Sequence, residues 1–272
     1  MKKIMLLVLM ATTLSVYAQP FDSTTKDGYF NRLDAQVIPY EKVREADLMW
    51  SKRLYKVVDM REKMNHYLYF PTEPANGLSS LFTVIRLNLE EGAVMAYSSL
   101  TDDLSLPITN DQALEMGVEK EEFLVEDEFG KIDNKSISNP VSSDQIIRYR
   151  IIEDWYFNKA TSRLMMQIHA ICPVKEVYDD EGEYKGELPL FWIYFPELRN
   201  SLVKQSAYSK NIAQRRSLDH MLVNQKYAAF IYKESNVYNR KISSYMQGID
   251  ALLEGERIKK EVQDFEQDLW EY

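Results

Sequence analysis

Apolar residues recur at helical spacing between Glu41 and Asn65. The series is separated by steps of four, four, three, three and four residues, and its members are Ala46, Trp50, Leu54, Val57, Met60 and Met64. Spacing near 3.6 residues is typical of an amphipathic helix. The pattern therefore predicts an N-terminal helix. The prolines and the Asn-Gly pair between Pro71 and Gly77 predict that this helix has ended by then.

Three later segments favour β-strands. They are rich in Ile, Val, Tyr, Phe and Trp, and they run from Gln145 to Phe157, from Arg163 to Tyr178 and from Leu188 to Phe195. Polar connections at 158–161 and 179–186 join them, so we expect an antiparallel meander of at least three strands. Pro173 has no N–H group, which predicts a bulge or an edge position in the middle strand.

Helical patterns fill much of the remaining chain. A short helix is predicted from Ser79 to Leu89, capped by Ser79 or Ser80, and the C-terminal part is expected to be helical from about residue 197. That part includes helices from Asn211 to Lys233 and from Asp250 to Trp270, the second with an apolar stripe that begins at Ile258. Residues 98–143 are predicted to form a long loop, apart from a possible strand pair near 123–125 and 130–132. The fold class is α+β, in a single domain at 41–272.

The N-terminus has the pattern of a secretory signal peptide. Lys2 and Lys3 precede a mostly apolar run, and cleavage is predicted between Ala18 and Gln19. Residues 19–40 are then expected to form a mobile leader. A lipid anchor would need a cysteine at the new N-terminus, whereas the single cysteine is Cys172. We therefore expect a periplasmic protein without direct membrane insertion, which depends on a partner for membrane attachment.

Charge argues against nucleic-acid binding. The chain has 33 Lys and Arg against 42 Asp and Glu, a formal net charge of −9. Removal of Lys2 and Lys3 with the signal peptide would leave 31 minus 42, or −11. A phosphate-tracking surface needs clustered Lys and Arg, yet the strongest charge run is acidic and lies at 119–128. That run is interpreted as a solvated loop face.

Candidate chemistry is sparse along the sequence. No Gly-x-Ser-x-Gly elbow or His-Glu-x-x-His motif occurs, and Cys172 lies in an apolar strand without a basic neighbour, which favours core packing. The three histidines are His66, His169 and His220, too far apart in sequence for a recognisable metal motif. His169 is expected to be a hydrogen-bonded sheet residue, and the other two are expected at the surface. No catalytic residue, cofactor or metal site is predicted.

Two other functional hypotheses remain open. Glu153 and Asp154 could form the carboxylate pair of a hydrolase, but adjacent strand residues point to opposite faces, which favours exposed acids beside a buried Trp155. The chain has 18 tyrosines, and the strand aromatics, with Trp155 and Trp192 as the test residues, could instead serve a periplasmic carbohydrate-binding module.

Several sequence blocks resemble the GldN/PorN family of the type IX secretion and gliding-motility machinery of Bacteroidetes. They span nearly the whole predicted mature chain in order, except for the stretch at 98–143, which the resemblance does not place. The blocks are 44–50 (READLMW), 58–65 (VDMREKMN), 69–71 (YFP), 153–157 (EDWYF), 189–197 (PLFWIYFPE), 213–216 (AQRR), 236–240 (NVYNR) and 248–254 (GIDALLE).

The resemblance implies a non-enzymatic periplasmic subunit. Such a subunit would pair with an outer-membrane lipoprotein of the GldK/PorK type in a large hetero-oligomeric ring. It would also contact the periplasmic part of a GldM/PorM-type inner-membrane protein. The family has no catalytic residues to transfer. Arg and Trp are over-represented among interface hot spots, so we expect Arg215, Arg216 and Trp270 to anchor partners, although a solvated helix face is the alternative for the two arginines.

Overall fold

The chain folds around a large antiparallel sheet with helices packed on one face. The computed structural model describes residues 35–75, 77–126, 132–179, 181–208 and 216–269, with backbone only at 119–126 and 132–138. The strands are β1 Leu48–Asp59, β2 Ala96–Ser98, β3 Pro107–Ile108, β4 Glu119–Glu126, β5 Ile132–Asn139, β6 Ile146–Asn158, β7 Arg163–Tyr178, β8 Tyr184–Pro189, β9 Phe191–Tyr194 and β10 Phe230–Glu234. The α-helices are α1 His66–Tyr69, α2 Leu81–Glu90, α3 Asn110–Glu115, α4 Phe195–Leu202, α5 Leu218–Val223 and α6 Ile249–Asp268. Short 3-10 turns occur at Glu45–Asp47, Lys63–Asn65, Ser143–Gln145 and Ile242–Ser244.

The strand order confirms the α+β class and the antiparallel meander. The main sheet runs β10-β1-β6-β7-β9-β2-β3, and β8 pairs with β7 beside β9. Strands β6 and β7 are joined by a tight turn and pair along most of their length, from Asn158 opposite Arg163 to Ile146 opposite Lys175. A separate hairpin, β4-β5, projects from the region that was predicted to be a loop.

The helix predicted from Glu41 to Asn65 is wrong, because its centre is strand β1. This strand is buried on both faces in its middle, so apolar residues do not alternate cleanly with polar ones. Two lysines add to the ambiguity. Lys52 and Lys56 lie on the helix-covered face, where their ammonium groups reach Glu234 at 2.8 Å and Glu153 at 2.7 Å. Charged residues at inward positions hide the period of two that identifies a strand.

The register defines two faces of the sheet. The helix face includes Val58 opposite Tyr149 and Ile151 opposite Ile171, and helices α2, α4 and α5 pack against it to form the main core. The open face carries a smaller apolar cluster, and its buried members are Tyr55, Ile152, Ala170, Cys172 and Trp192. Around that cluster the open face is polar, with ion pairs such as Arg61–Glu176 at 2.6 Å and Lys233–Asp102 at 2.9 Å.

Helices α2 and α6 confirm two of the predictions. Ser80 caps α2, since its hydroxyl accepts a hydrogen bond of 3.2 Å from the backbone N–H of Thr83. Helix α6 buries Ile258 and Val262 against β10 and β1. The ring of Phe265 stacks on Trp50 of β1 with centroids 4.8 Å apart. Helix α6 is therefore fixed to the end of the sheet by an aromatic contact as well as by its apolar stripe.

The prediction that the C-terminal part is helical throughout is wrong at β10. Helix α5 ends at Val223, and Gln225 follows with φ of 52°, a left-handed conformation that stops a helix. The aromatic and β-branched run that begins at Phe230 then pairs with β1. The predicted loop at 98–143 also contains β3, α3 and the β4-β5 hairpin, which confirms a strand pair longer than expected.

Pro173 does not lie at an edge of the sheet; it lies where the hydrogen-bond ladder on one side of β7 is interrupted. It pairs with Tyr149 of β6, and its carbonyl accepts a 3.0 Å hydrogen bond from the N–H of Leu190 on the other side. Leu190 lies between β8 and β9, where the ladder beside β7 is interrupted. The nitrogen of a strand residue points to the same side as its carbonyl, so the missing N–H of Pro173 costs no bond to β6.

Some predicted features fall outside the described residues. These are the signal peptide at 1–18, its cleavage between Ala18 and Gln19, and the leader up to residue 34. The end of that leader is described and anchored: Arg199 donates a 2.8 Å hydrogen bond to the carbonyl of Ile38, and its guanidinium lies 4.3 Å from the ring centre of Tyr40. Within the part of the chain that is described, no helix combines the length and apolar character that crossing a bilayer requires.

Candidate functional site

The reactive residues singled out from the sequence are packed or dispersed. Cys172 is fully buried, and burial raises the pKa of its thiol to about 12. His66 and His220 are exposed, as expected, whereas His169 is half-buried with its ring edge-on to Tyr194. Across the described residues, no group of His, Cys, Asp and Glu is close enough to hold a metal ion.

Glu153 and Asp154 lie on opposite faces, as strand geometry predicts, but Glu153 is not exposed. Its carboxylate on the helix face is bound by three donors: Lys56 Nζ at 2.7 Å, Tyr227 Oη at 2.6 Å and Trp155 Nε1 at 2.8 Å. The expectation of an exposed acid at 153 is therefore wrong, because a buried partner network supplies what water would otherwise provide. A carboxylate held in this way stabilises the fold, and the two acids cannot flank one substrate bond.

The strand tryptophans do not form an aromatic platform. Trp192 is only 1% exposed in the open-face cluster. Trp155 is half-buried on the helix face, where the Lys56 ammonium lies 5.3 Å from the centre of its ring. Buried Trp192 offers no surface for stacking on a sugar, and the Trp155 ring is already in contact with the Lys56 ammonium, so the two rings do not form a shared platform.

Exposed apolar side chains occur at the start of helix α6 and on the turn at 236–240 that precedes it, and we call this group the α6 patch. Its members, with their exposed fractions, are Val237 (98%), Tyr238 (76%), Ile249 (75%), Leu252 (54%) and Leu253 (62%). Single exposed apolar residues are common on protein surfaces, but large contiguous groups mark interaction sites. This patch is the feature of the described surface that best fits a binding role.

The turn that carries Val237 and Tyr238 is held in place by its own contacts. The Arg240 guanidinium lies between two rings, 5.1 Å from the centre of Tyr238 and 4.5 Å from that of Tyr245. Asn236 accepts a 3.3 Å hydrogen bond from the N–H of Arg240, and Tyr245 in turn reaches Glu254 of α6 at 3.4 Å. The turn and the helix therefore present one pre-ordered surface, which lowers the entropy cost of binding.

Helical phase explains why the first turn of α6 is exposed. Gly255, Ile258 and Val262 face the sheet, whereas Leu252 and Leu253 are rotated away from that stripe. The sequence contained this signal, since the predicted stripe begins only at Ile258. Val237 and Tyr238 were missed, because nothing in their local sequence indicates a turn that projects them into solvent.

The predicted partner anchors are separate from this patch. Arg216 is exposed and precedes α5, and its carbonyl accepts a 2.8 Å hydrogen bond from the N–H of Ala207. Arg215 and Trp270 lie outside the described residues. The three remain predicted contacts, and the structure adds the α6 patch beside them.

Comparison with known proteins gives a family for the chain. A search of curated proteins found no match. The family model described as "Gliding motility associated protein GldN" matches residues 43–271. This range includes all the strands and helices described above and more than half of the chain. The chain therefore belongs to the GldN family of gliding-motility-associated proteins.

Proposed function

We propose that this chain is a non-enzymatic structural subunit of the type IX secretion and gliding-motility machinery, working in the periplasm. Family membership makes it a component of the gliding-motility machinery. The observation that carries the proposal is the α6 patch, where five apolar side chains are more than half exposed on a pre-ordered surface. A protein that keeps such a surface in contact with water gains free energy when a partner covers it.

The proposed partner is an outer-membrane lipoprotein of the GldK/PorK type. The signal-peptide pattern of the sequence supports export, and a lipoprotein partner would hold the exported subunit at the outer membrane. The periplasmic part of a GldM/PorM-type protein is the second proposed contact.

A ring is the proposed form of this assembly. In head-to-tail contacts a patch on one subunit meets a different patch on the next, and such contacts close into rings when the rotation permits. The α6 patch occupies one side of the sheet end, so it can serve as one of the two surfaces. Arg215, Arg216 and Trp270 are the proposed residues for further contacts.

Co-expression with the lipoprotein tests the proposal. Wild-type protein is expected to co-purify with the lipoprotein in a large particle visible by electron microscopy. The double variant Leu252→Glu with Leu253→Glu is expected to remain folded, because both side chains are exposed, and to lose the particle. Two charges placed in an apolar contact cannot be desolvated without a large cost.

The matched control adds the same charge to the same helix. Gln263 and Gln267 are exposed on α6 away from the patch, so Gln263→Glu with Gln267→Glu is expected to assemble normally. If wild-type protein and lipoprotein are recovered separately, the assembly proposal fails. If the patch variant assembles as well as its control, the α6 patch is not the contact.

A further inference from the structure

A polar groove crosses one end of the open face. It consists of two adjoining hollows of about 460 and 220 Å³, which share Leu48, Tyr156 and Gln167 in their walls. The larger hollow is also lined by Ser51, Lys52, Arg53, Asp154, Trp155 and Ser235, and the smaller by Glu41, Val43, Arg44 and Glu45. Small-molecule sites have volumes of about 300–1,000 Å³, and two connected hollows suit an elongated ligand better than a compact one.

The floor of the groove is a set of mutually fixed polar side chains. Arg53 binds Asp154 with two parallel hydrogen bonds, from Nε at 2.6 Å and from Nη2 at 2.9 Å. Gln167 donates a 2.5 Å hydrogen bond from Nε2 to the Tyr156 hydroxyl. Both members of the arginine–carboxylate pair keep about a third of their side-chain surface exposed, so they can bind a ligand while remaining paired.

The charges that the groove presents nearly balance. The charged side chains that line it on the open face are Arg44 and Arg53 against Glu41, Glu45 and Asp154, since the ammonium of Lys52 lies on the other face with Glu234 at 2.8 Å. The two arginines are already in ion pairs, Arg44 with Asp47 at 2.7 Å and Arg53 with Asp154 at 2.6 Å. A site for a phosphate or a carboxylate would carry an excess of positive charge, and a site for a basic peptide a large excess of negative charge. A near balance favours an uncharged ligand that forms many hydrogen bonds.

Backbone pairing argues against an extended peptide. Arg53 pairs with Asp154, and Asp154 pairs with Gln167, so the three strands under the groove use their backbone groups on each other. Peptides that add to a sheet need a free strand edge, and this groove offers a sheet face. Recognition must therefore use the side chains, whose hydroxyl, amide, guanidinium and carboxylate groups match the vicinal hydroxyls of a sugar.

We propose that this groove binds an uncharged oligosaccharide along the axis of its two hollows. The paired Arg53 and Asp154 offer a donor and an acceptor to neighbouring hydroxyls, and Gln167 offers its amide oxygen beside the Tyr156 ring. The site is distinct from the α6 patch and does not depend on the assembly proposed above. It does not depend on the tryptophan platform suggested by the sequence, because Trp192 is buried and Trp155, which borders the larger hollow, has its indole N–H bound to Glu153 on the helix face.

Calorimetric titration of the purified protein with defined oligosaccharides tests this inference. The probes are the linear tetramers of glucose and of N-acetylglucosamine, with the tetramer of galacturonic acid as a charged comparison. At least one neutral tetramer is expected to bind, and the charged one to bind at least about tenfold more weakly, a difference of about 1.4 kcal/mol. Which neutral tetramer binds identifies the sugar.

Two variants locate the site. Ser51→Trp places a bulky ring in the groove from an exposed position, and Gln167→Ala removes an amide from its floor; each is expected to weaken binding about tenfold or more. Ser243→Trp makes the same change at an exposed serine near α6 and is expected to bind like wild type. Saturation-transfer NMR with the wild-type protein checks the same probes independently.

Three results would overturn the inference: no binding of either neutral tetramer at millimolar concentration, equal or tighter binding of the charged one, or unchanged binding by Ser51→Trp. None of them bears on particle formation with the lipoprotein. Assembly without sugar binding would remove this inference alone, and sugar binding without assembly would remove only the assembly proposal.

Discussion

The Tyr227 hydroxyl donates a 2.6 Å hydrogen bond to the Glu153 carboxylate, which lies 74 residues earlier in the chain. Tyr227 belongs to the connection between α5 and β10, and Glu153 lies in the centre of β6. Burial and the negative charge of Glu153 raise the pKa of Tyr227 well above its ordinary value. The contact fixes the C-terminal third of the chain to the middle of the sheet.

Removal of the Glu153 carboxylate should strongly destabilise the protein. Glu153→Ala leaves the Lys56 ammonium, only 13% exposed, without its partner at 2.7 Å. Breaking a buried ion pair from one side costs about 3–5 kcal/mol. Urea unfolding followed by circular dichroism should show this loss in the free energy of unfolding.

The neighbouring residue provides the control for that measurement. Asp154→Ala breaks the ion pair with Arg53. The side chains of Arg53 and Asp154 are 33% and 34% exposed, so the free energy of unfolding is expected to fall by about 1 kcal/mol or less. Equal losses for the two variants would show that the Glu153 network does not have the stabilising role assigned to it.

Gly255 should resist replacement although it lies within a helix. A Cβ atom there would lie 2.9 Å from the carbonyl oxygen of Ile231, so α6 would have to move away from β10. Ala is favoured over Gly inside helices by about 1 kcal/mol, whereas overpacking costs about 1–3 kcal/mol. Gly255→Ala is therefore expected to lower the melting temperature. Lys260→Ala, at an exposed position of the same helix, should change it little; a stabilised Gly255→Ala protein would contradict the close packing.

The Cys172 thiol should be inert until the protein unfolds. It is fully buried, and burial raises its pKa to about 12, so almost no thiolate exists at pH 8. Titration with a thiol-reactive chromogenic disulfide is expected to give no rapid reaction with the native protein. In about 6 M guanidinium chloride, which unfolds the chain, one equivalent of thiol per protein should react. Rapid labelling of the native protein would show that β7 opens far more readily than its central position implies.

Sequence patterns correctly predicted the elements in which local conformational propensity and the pattern of burial agree. Strands β6 and β7 are long and rich in β-branched and aromatic residues, and α6 has one apolar stripe, so local propensity and burial agree for all three. Strand β1 was misread because Lys52 and Lys56 point toward the helix face, and only their partners Glu234 and Glu153 make that placement favourable. Those partners lie about 100 or more residues away, beyond any window of local periodicity.

The same holds for the candidate sites: a feature that depends on one helix could be predicted from the sequence, and one that depends on several strands could not. Exposure of Leu252 and Leu253 could be inferred from the helical phase of α6, because it depends on one element. The polar groove could not be inferred, since Arg53, Asp154 and Gln167 meet only through the pairing of three strands. Val237 depends on a turn held by Asn236 and Arg240, a contact that the local sequence allows but does not require.

His169 should make the protein less stable as the pH falls below neutrality. Its imidazole is half-buried beside Asp154, at 3.5 Å from Nδ1 to Oδ2, with the ring edge-on to Tyr194. Burial, and after it the positive charge of Arg53, lowers the pKa of His169 below its ordinary value of 6.5, against the opposing effect of Asp154. The unfolded chain then binds more protons than the folded one between the lowered pKa and 6.5. Stability contributed by neutral His169 is therefore complete above pH 6.5 and is lost as the pH falls through that window.

The variant His169→Asn tests this pH dependence. Its free energy of unfolding should decline less than that of the wild type between about pH 7.5 and about pH 5, a range that brackets 6.5. His66→Asn, at an exposed histidine, should keep the wild-type decline. If His169→Asn keeps it as well, the lost stability comes from other groups, and His169 is not held neutral by its place on the sheet.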